Sequence, residues 1–151
     1  MTLIRELENT AVYYDDLWDK EIRERFSEKL KSLDEKNEFF FKQYWQGFAW
    51  SAILGFINNK SVKLDSKKNT SFKFGTIYRQ GSTIAEALIL MAIAKSNLDD
   101  NILEKPEKIV EIICEHAKGG ALLIKEIRET PGNENMFYNH EDFLSEIENR
   151  T

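Results

Sequence analysis

Apolar positions recur along this chain with helical spacing over most of its length and alternate with polar ones over one short stretch. Leu3, Ile4 and Leu7 share a helical face, and Leu17, Trp18, Ile22, Phe26, Leu30 and Leu33 follow as an apolar stripe on a charged helix. Glu21 and Arg25, then Arg25 and Lys29, fall on the opposite, solvated face, where such pairs contribute only about 0.2–0.5 kcal/mol. The run Asp34-Glu35-Lys36-Asn37 punctuates, with Asn37 a suitable N-cap for the next element. That element is the most apolar of all: Phe39, Phe40, Phe41, Tyr44, Trp45, Phe48, Trp50 and Phe56 crowd one helix-length window. Each buried aromatic removes roughly 150–250 Å² from water. The window is therefore predicted as a central helix, Phe39 to Asn58, with Trp50 in the core. Gly47, Ser51 and Gly55 line one stripe of it at four-residue steps, leaving room for a second helix to approach. Asn58-Asn59, both tolerant of left-handed backbone, should end it.

From residue 60 the pattern changes. Ser61-Val62-Lys63-Leu64 and Ser71-Phe72-Lys73-Phe74 alternate around the polar tract from Asp65 to Thr70, a hairpin signal that places Phe72 and Phe74 over the helical core. Beyond Gly81, Ser82 or Thr83 can cap a helix running to Ser96, rich in Ala85, Ala87, Ala92 and Ala94. Asn97 to Lys105 connects to a helix opened by Pro106, with Ile109, Val110, Ile112 and Ile113 inward. It is expected to run to Lys118, because Gly119-Gly120 reads as a stop or a tight turn before the next apolar run, and Thr130-Pro131-Gly132 as a firm stop. A last helix, Glu141 to Glu148 capped by Asn139, completes the tail. The fold expected is mainly α: a compact helical domain around the aromatic helix, with a small β-hairpin at 61–75 and the tail 131–151 its flexible part.

The 151 residues suit one domain, 1–151, large enough to bury a core without a metal or disulfide staple. One cysteine, Cys114, allows no internal disulfide, and charge arrives within the first six residues, too soon for a secretory leader; a cytoplasmic location is the expectation. The most apolar stretch, residues 48–57, is far shorter than the roughly 20 residues of a membrane span.

Charge sharpens the picture. The net charge is −5, yet residues 58–80 hold six basic side chains (Lys60, Lys63, Lys67, Lys68, Lys73, Arg79) against Asp65 alone. A basic segment in an acidic protein argues against general nucleic-acid binding and for a directed contact with an anion. These six are the candidate binding residues; the bland alternative is that lysines keep a strand edge soluble. Other chemistry is thin. Cys114 and His116 stand two apart on a helix and point in different directions, and zinc needs three or four ligands. Glu107, Glu111 and Glu115 form a row at four-residue steps that reads as a wet helix face. Glu86 sits among apolar neighbours, and Gln80-Gly81-Ser82-Thr83 lacks the lysine and spacing of a phosphate loop. No catalytic set assembles, and no cofactor is called for.

Three stretches carry a resemblance: Phe48-Ala49-Trp50-Ser51-Ala52-Ile53-Leu54-Gly55-Phe56, Ala87-Leu88-Ile89-Leu90-Met91-Ala92-Ile93-Ala94, and Glu115-His116-Ala117-Lys118-Gly119-Gly120, together with the basic turn. Over roughly residues 40–130 the chain resembles small bacterial accessory proteins associated with Dnd-type DNA phosphorothioation and its restriction islands, departing from them in a longer tract between Leu64 and Ser71. The resemblance implies a part in defence against foreign DNA, inside a system whose enzymes are other subunits, and it transfers no active-site residues. Two functions are then open. One is a non-catalytic accessory subunit that binds a partner protein, DNA or both through residues 60–79. The other is a small metal-dependent nuclease or other enzyme using Glu86 and the acids of the Glu107 helix. Homodimerisation is expected besides, because so many aromatics are hard to bury in one small chain.

Overall fold

The computed structural model of this protein describes residues 3–27, 43–65, 68–96 and 101–130. Two helices form its axis. The first, α3 (Tyr44–Ile57), starts where Gln43 caps it: the Gln43 side chain accepts from the Gln46 amide, and the Gln46 side chain accepts from the Gln43 amide at 3.1 Å. It stops at Asn58, followed by Asn59 at φ 53°. The second, α6, runs unbroken from Pro106 to Glu129. The expected break at Gly119-Gly120 is therefore corrected. These glycines sit mid-helix because α3 and the chain after it come too close for a side chain: a Cβ on Gly120 would run into the Ser51 carbonyl, and one on Gly119 into the Lys60 carbonyl. From the other side, a Cβ on Gly55 would run into the His116 carbonyl. The small stripe of α3 thus meets a small stripe of α6, and close backbone packing offsets the roughly 1 kcal/mol that each mid-helix glycine costs against alanine.

The remaining described elements wrap this pair. After α1 (Leu3–Glu8) comes a strand, β1 (Ala11–Tyr14), then a short helix α2 (Asp16–Trp18) that continues with π-type pitch over Asp19–Ser27. Leu7, Val12, Trp18 and Ile22 are buried in the core. The Trp18 indole N–H donates to Ser51 Oγ at 2.9 Å, and Ser51 in turn donates to the Phe48 carbonyl at 3.0 Å. Phe48 lies edge-on to both Trp18 and Phe72. Trp50, expected in the core, is half-buried against it; among the described residues Trp18, Phe48 and Phe74 are the fully buried aromatics.

The expected hairpin is also corrected. Residues 61–65 form no strand; among the described residues β2 (Asn69–Lys73) pairs antiparallel with β1 instead. The register is Ala11 with Lys73, Val12 with Phe72, Tyr13 with Thr70 and Tyr14 with Asn69, so Ser71 is the extra residue of a bulge. A strand has no edge to add to without a partner, and Ala11-Val12-Tyr13-Tyr14, hidden between helical stripes, supplies it. Phe74 then opens a helix, α4 (Phe74–Gln80), in place of closing a strand. A Cβ on Gly75 would stand 2.7 Å from the Glu8 carbonyl, so α4 packs hard on α1. Gly81, one residue earlier than expected, begins α5 (Ser82–Lys95), and a single 3₁₀ turn at Ile102–Glu104 leads to Pro106. Asn37, Phe39 to Phe41, Lys67 and the tail helix at 141–148 lie outside the described residues. No helix among the described residues is long and apolar enough to cross a membrane.

Candidate functional site

Residues 60–65 cross α6 as a strap, and a buried ion pair pins them. Asp15, at the end of β1, is fully buried, and its Oδ2 takes the Lys118 ammonium at 2.6 Å. The same ammonium donates to the Lys63 carbonyl at 3.0 Å and stands 3.5 Å from Asp65, while the Asp65 amide donates to Asp15 Oδ2 at 3.2 Å. The Val62 amide donates to the Glu115 carbonyl at 3.0 Å. Burial works against the Lys118 charge, but the hydrogen bond and charge of Asp15, helped by Asp65, outweigh it and raise the lysine pKa above its ordinary value. A second long-range pair joins Arg128 to the buried Glu21 at 2.8 Å, so Glu21 is not on a solvated face as its spacing suggests.

The strap sets out the basic residues on several elements. Lys60 is spent on Glu126, 2.7 Å away. Lys63 and Lys73 are exposed, and Arg79 is exposed in the last turn of α4; none of these three forms an ion pair among the described residues. Lys68 extends over the Tyr13 ring, 4.8 Å from its centroid. The acids weighed for catalysis are separated too. Glu86 is exposed and accepts from the Tyr78 hydroxyl at 3.3 Å; burial, and then the Glu86 carboxylate beside it, hold the Tyr78 pKa above the usual value. Glu107 and Glu111 are exposed on α6. Glu115 is half-buried, and its pKa is raised by burial and by Glu111. No group of three or more His, Cys, Asp or Glu side chains among the described residues converges to hold a metal.

One cleft, of about 660 Å³, does combine members of the two sets. It opens between α1 and β1 on one side, the first half of α6 on another, and residues 64 and 68. Leu64, Pro106, Val110 and Cys114 give it apolar walls, and Tyr13, more than a third exposed, lines it with Lys68 above. Glu6, Glu107 and Glu111 bring carboxylates to the same cleft. Burial pushes the Cys114 thiol up to about 12, so it is a neutral, unreactive part of the wall. His116, two residues on and facing another side of α6, is equally structural: its ring stacks on Phe56 at 4.0 Å between centroids, Nδ1 lies 2.8 Å from the Ile112 carbonyl, and burial lowers its pKa.

Asp15, Lys118 and Tyr13 escaped the reading of the sequence. The signal for Lys118 was present, a lone cation in the run Ala117-Lys118-Gly119-Gly120-Ala121 where every neighbour is small and apolar; nothing marked Asp15 among the acids around it.

A family model described as DNA sulphur modification system-associated protein 4 matches residues 21–146. No curated protein and no solved structure matches the chain.

Proposed function

The chain belongs to the family of DNA sulphur modification system-associated protein 4, and on that premise we propose that it is a non-catalytic accessory subunit, cytoplasmic, that docks onto another component of a bacterial DNA-modification and defence system. The observation that carries the docking is the state of the basic residues. Lys63, Lys73 and Arg79 stay exposed and form no ion pair among the described residues of a protein of net charge −5, so their charge is available to an anionic surface. An acidic protein face fits this best. DNA is the second candidate, opposed by the acidity of the rest of the molecule.

The triple variant Lys63→Glu, Lys73→Glu, Arg79→Glu separates these. It spares Lys60, which is paired, and Lys68, which lies over Tyr13. Stability should change by no more than about 0.5 kcal/mol, since exposed charges make few buried contacts. Co-purification with the other proteins of the system should be lost, and loss of wild-type binding at raised salt should follow. If the wild-type protein binds duplex DNA with a steep salt dependence, the DNA version is supported. Unchanged assembly of the variant removes the basic edge from the proposal.

Self-association belongs to the same proposal. On α5, Ile84, Ala87, Leu90 and Ala94 fall within about 120° of one another at helical spacing. Leu90 is 67% exposed, Ile84 38%. An outward apolar stripe of this kind is the mark of an interface. Light scattering should give twice 17.7 kDa at micromolar concentration, and a monomer at every concentration would exclude a homodimer.

A further inference from the structure

We propose that the cleft walled by Tyr13, Leu64 and Val110 is a second docking site, and that its occupant is a lysine- or arginine-bearing segment of a partner protein. The occupant's charge follows from the rim. Glu6 and Glu107 form no ion pair among the described residues, and Glu111 is shared only with Lys108, 3.5 Å away on its own helix. Among the described residues, three carboxylates therefore line the cleft against one ammonium, that of Lys68, which is engaged over the Tyr13 ring. An arriving cation is attracted, an arriving anion repelled. The occupant's apolar character follows from the walls: half-buried Leu64 and the exposed Tyr13 ring, together with the edges of the largely buried Pro106, Val110 and Cys114, offer surface that a charged group alone would not cover. A side chain with an aliphatic stem and a cationic tip matches both, stem against Val110 and Leu64, tip toward Glu107. The size fits a short peptide better than one small ion, since about 660 Å³ lies within the range that ligand clefts occupy.

This inference rests on the accessory reading only in taking the occupant to be part of a protein, and its variants leave Lys63, Lys73 and Arg79 intact, so the two can fail separately. The test uses the full chain, isotope-labelled for amide NMR, titrated with n-butylguanidinium, with n-butanol and n-butyrate as neutral and anionic matches. The cation should shift the amides of Tyr13, Leu64, Val110 and Cys114 together, and the alcohol and the acid should do so more weakly. The variant Glu6→Gln with Glu107→Gln should weaken the cation about fivefold, the effect of removing exposed charge partners, with its thermal melt confirming the fold. An acetylated peptide alternating leucine and arginine should bind at least about tenfold tighter than butylguanidinium, because each further apolar side chain that enters adds burial. Shifts scattered over surface carboxylates, equal response to the alcohol, or no effect of the Glu variants would overturn the site. A peptide no tighter than the single cation would overturn the protein occupant and leave a small cation.

Discussion

Replacing Lys118 by Met should destabilise the protein by about 3–5 kcal/mol, the cost of stranding a buried charge. Asp15 has no exposed surface, and its Oδ1 already lacks a hydrogen-bond partner among the described residues. Removing the ammonium leaves the carboxylate only the Asp65 amide, in a place that water does not reach. The strap loses its hold at once, because the same ammonium also donates to the Lys63 carbonyl. Urea denaturation of Lys118→Met, Asp15→Asn and the double variant measures the pairing. The double variant should be less destabilised than the sum of the singles, since its carboxamide carries no charge to strand. A loss below about 1 kcal/mol in Lys118→Met would mean that the pair contributes no more than a surface salt bridge. The sign with pH is fixed: because the folded-state pKa of Lys118 is raised, its contribution is complete below the ordinary lysine pKa and is lost only as pH climbs through the raised value. Titration of Lys118 thus adds no pH dependence around neutrality.

The change Gly120→Ala tests the helix pair, and here two physical effects predict opposite signs. Helix propensity alone favours alanine by about 1 kcal/mol. Packing forbids it, since the new methyl group would overlap the Ser51 carbonyl, and a backbone atom inside a helix cannot swing aside as a side-chain tip can. Overpacking typically costs about 1–3 kcal/mol and occasionally more; with backbone on both sides the expected result is a net loss of at least about 3 kcal/mol. A thermal melt gives the answer directly. Any gain in stability would show that α3 and α6 stand further apart than described.

Much of the helical frame was legible because it depends on local signals. The Asn58-Asn59 terminus, Pro106 at a helix start, and the inward set Ile109, Val110, Ile112 and Ile113 follow from geometry that a few neighbouring residues decide. The small stripe of α3 was legible as an invitation to close packing, while its counterpart on α6 was misread, because Gly119-Gly120 looks identical in sequence whether it ends a helix or admits a neighbour. The strands failed for a related reason. Residues 71–74 alternate, but their partner lies some sixty positions earlier, where Val12 and Tyr14 point inward from a run too short to announce itself. Of the basic candidates, sequence showed the cluster but not that Glu126 holds Lys60 or that Tyr13 underlies Lys68. Pairings across the chain are invisible to a pattern read along it. The cleft, assembled from α1, β1, residues 64 and 68, and α6, is of that kind throughout.

The pairing of Asp15 with Lys118 also sets an order in time. The acid leaves the ribosome about a hundred residues before the base, and at about 5–20 residues per second that is an interval of roughly 5–20 seconds. Through it, Asp15 has no cation, Ser51 and Gly55 have no glycine-bearing helix to meet, and the strap has nothing to cross. An N-terminal fragment ending before α6 would therefore keep Trp18, Phe48 and a lone carboxylate without the groups that cover or neutralise them. The last long helix is the keystone, and until it is made the earlier elements have no native state to hold.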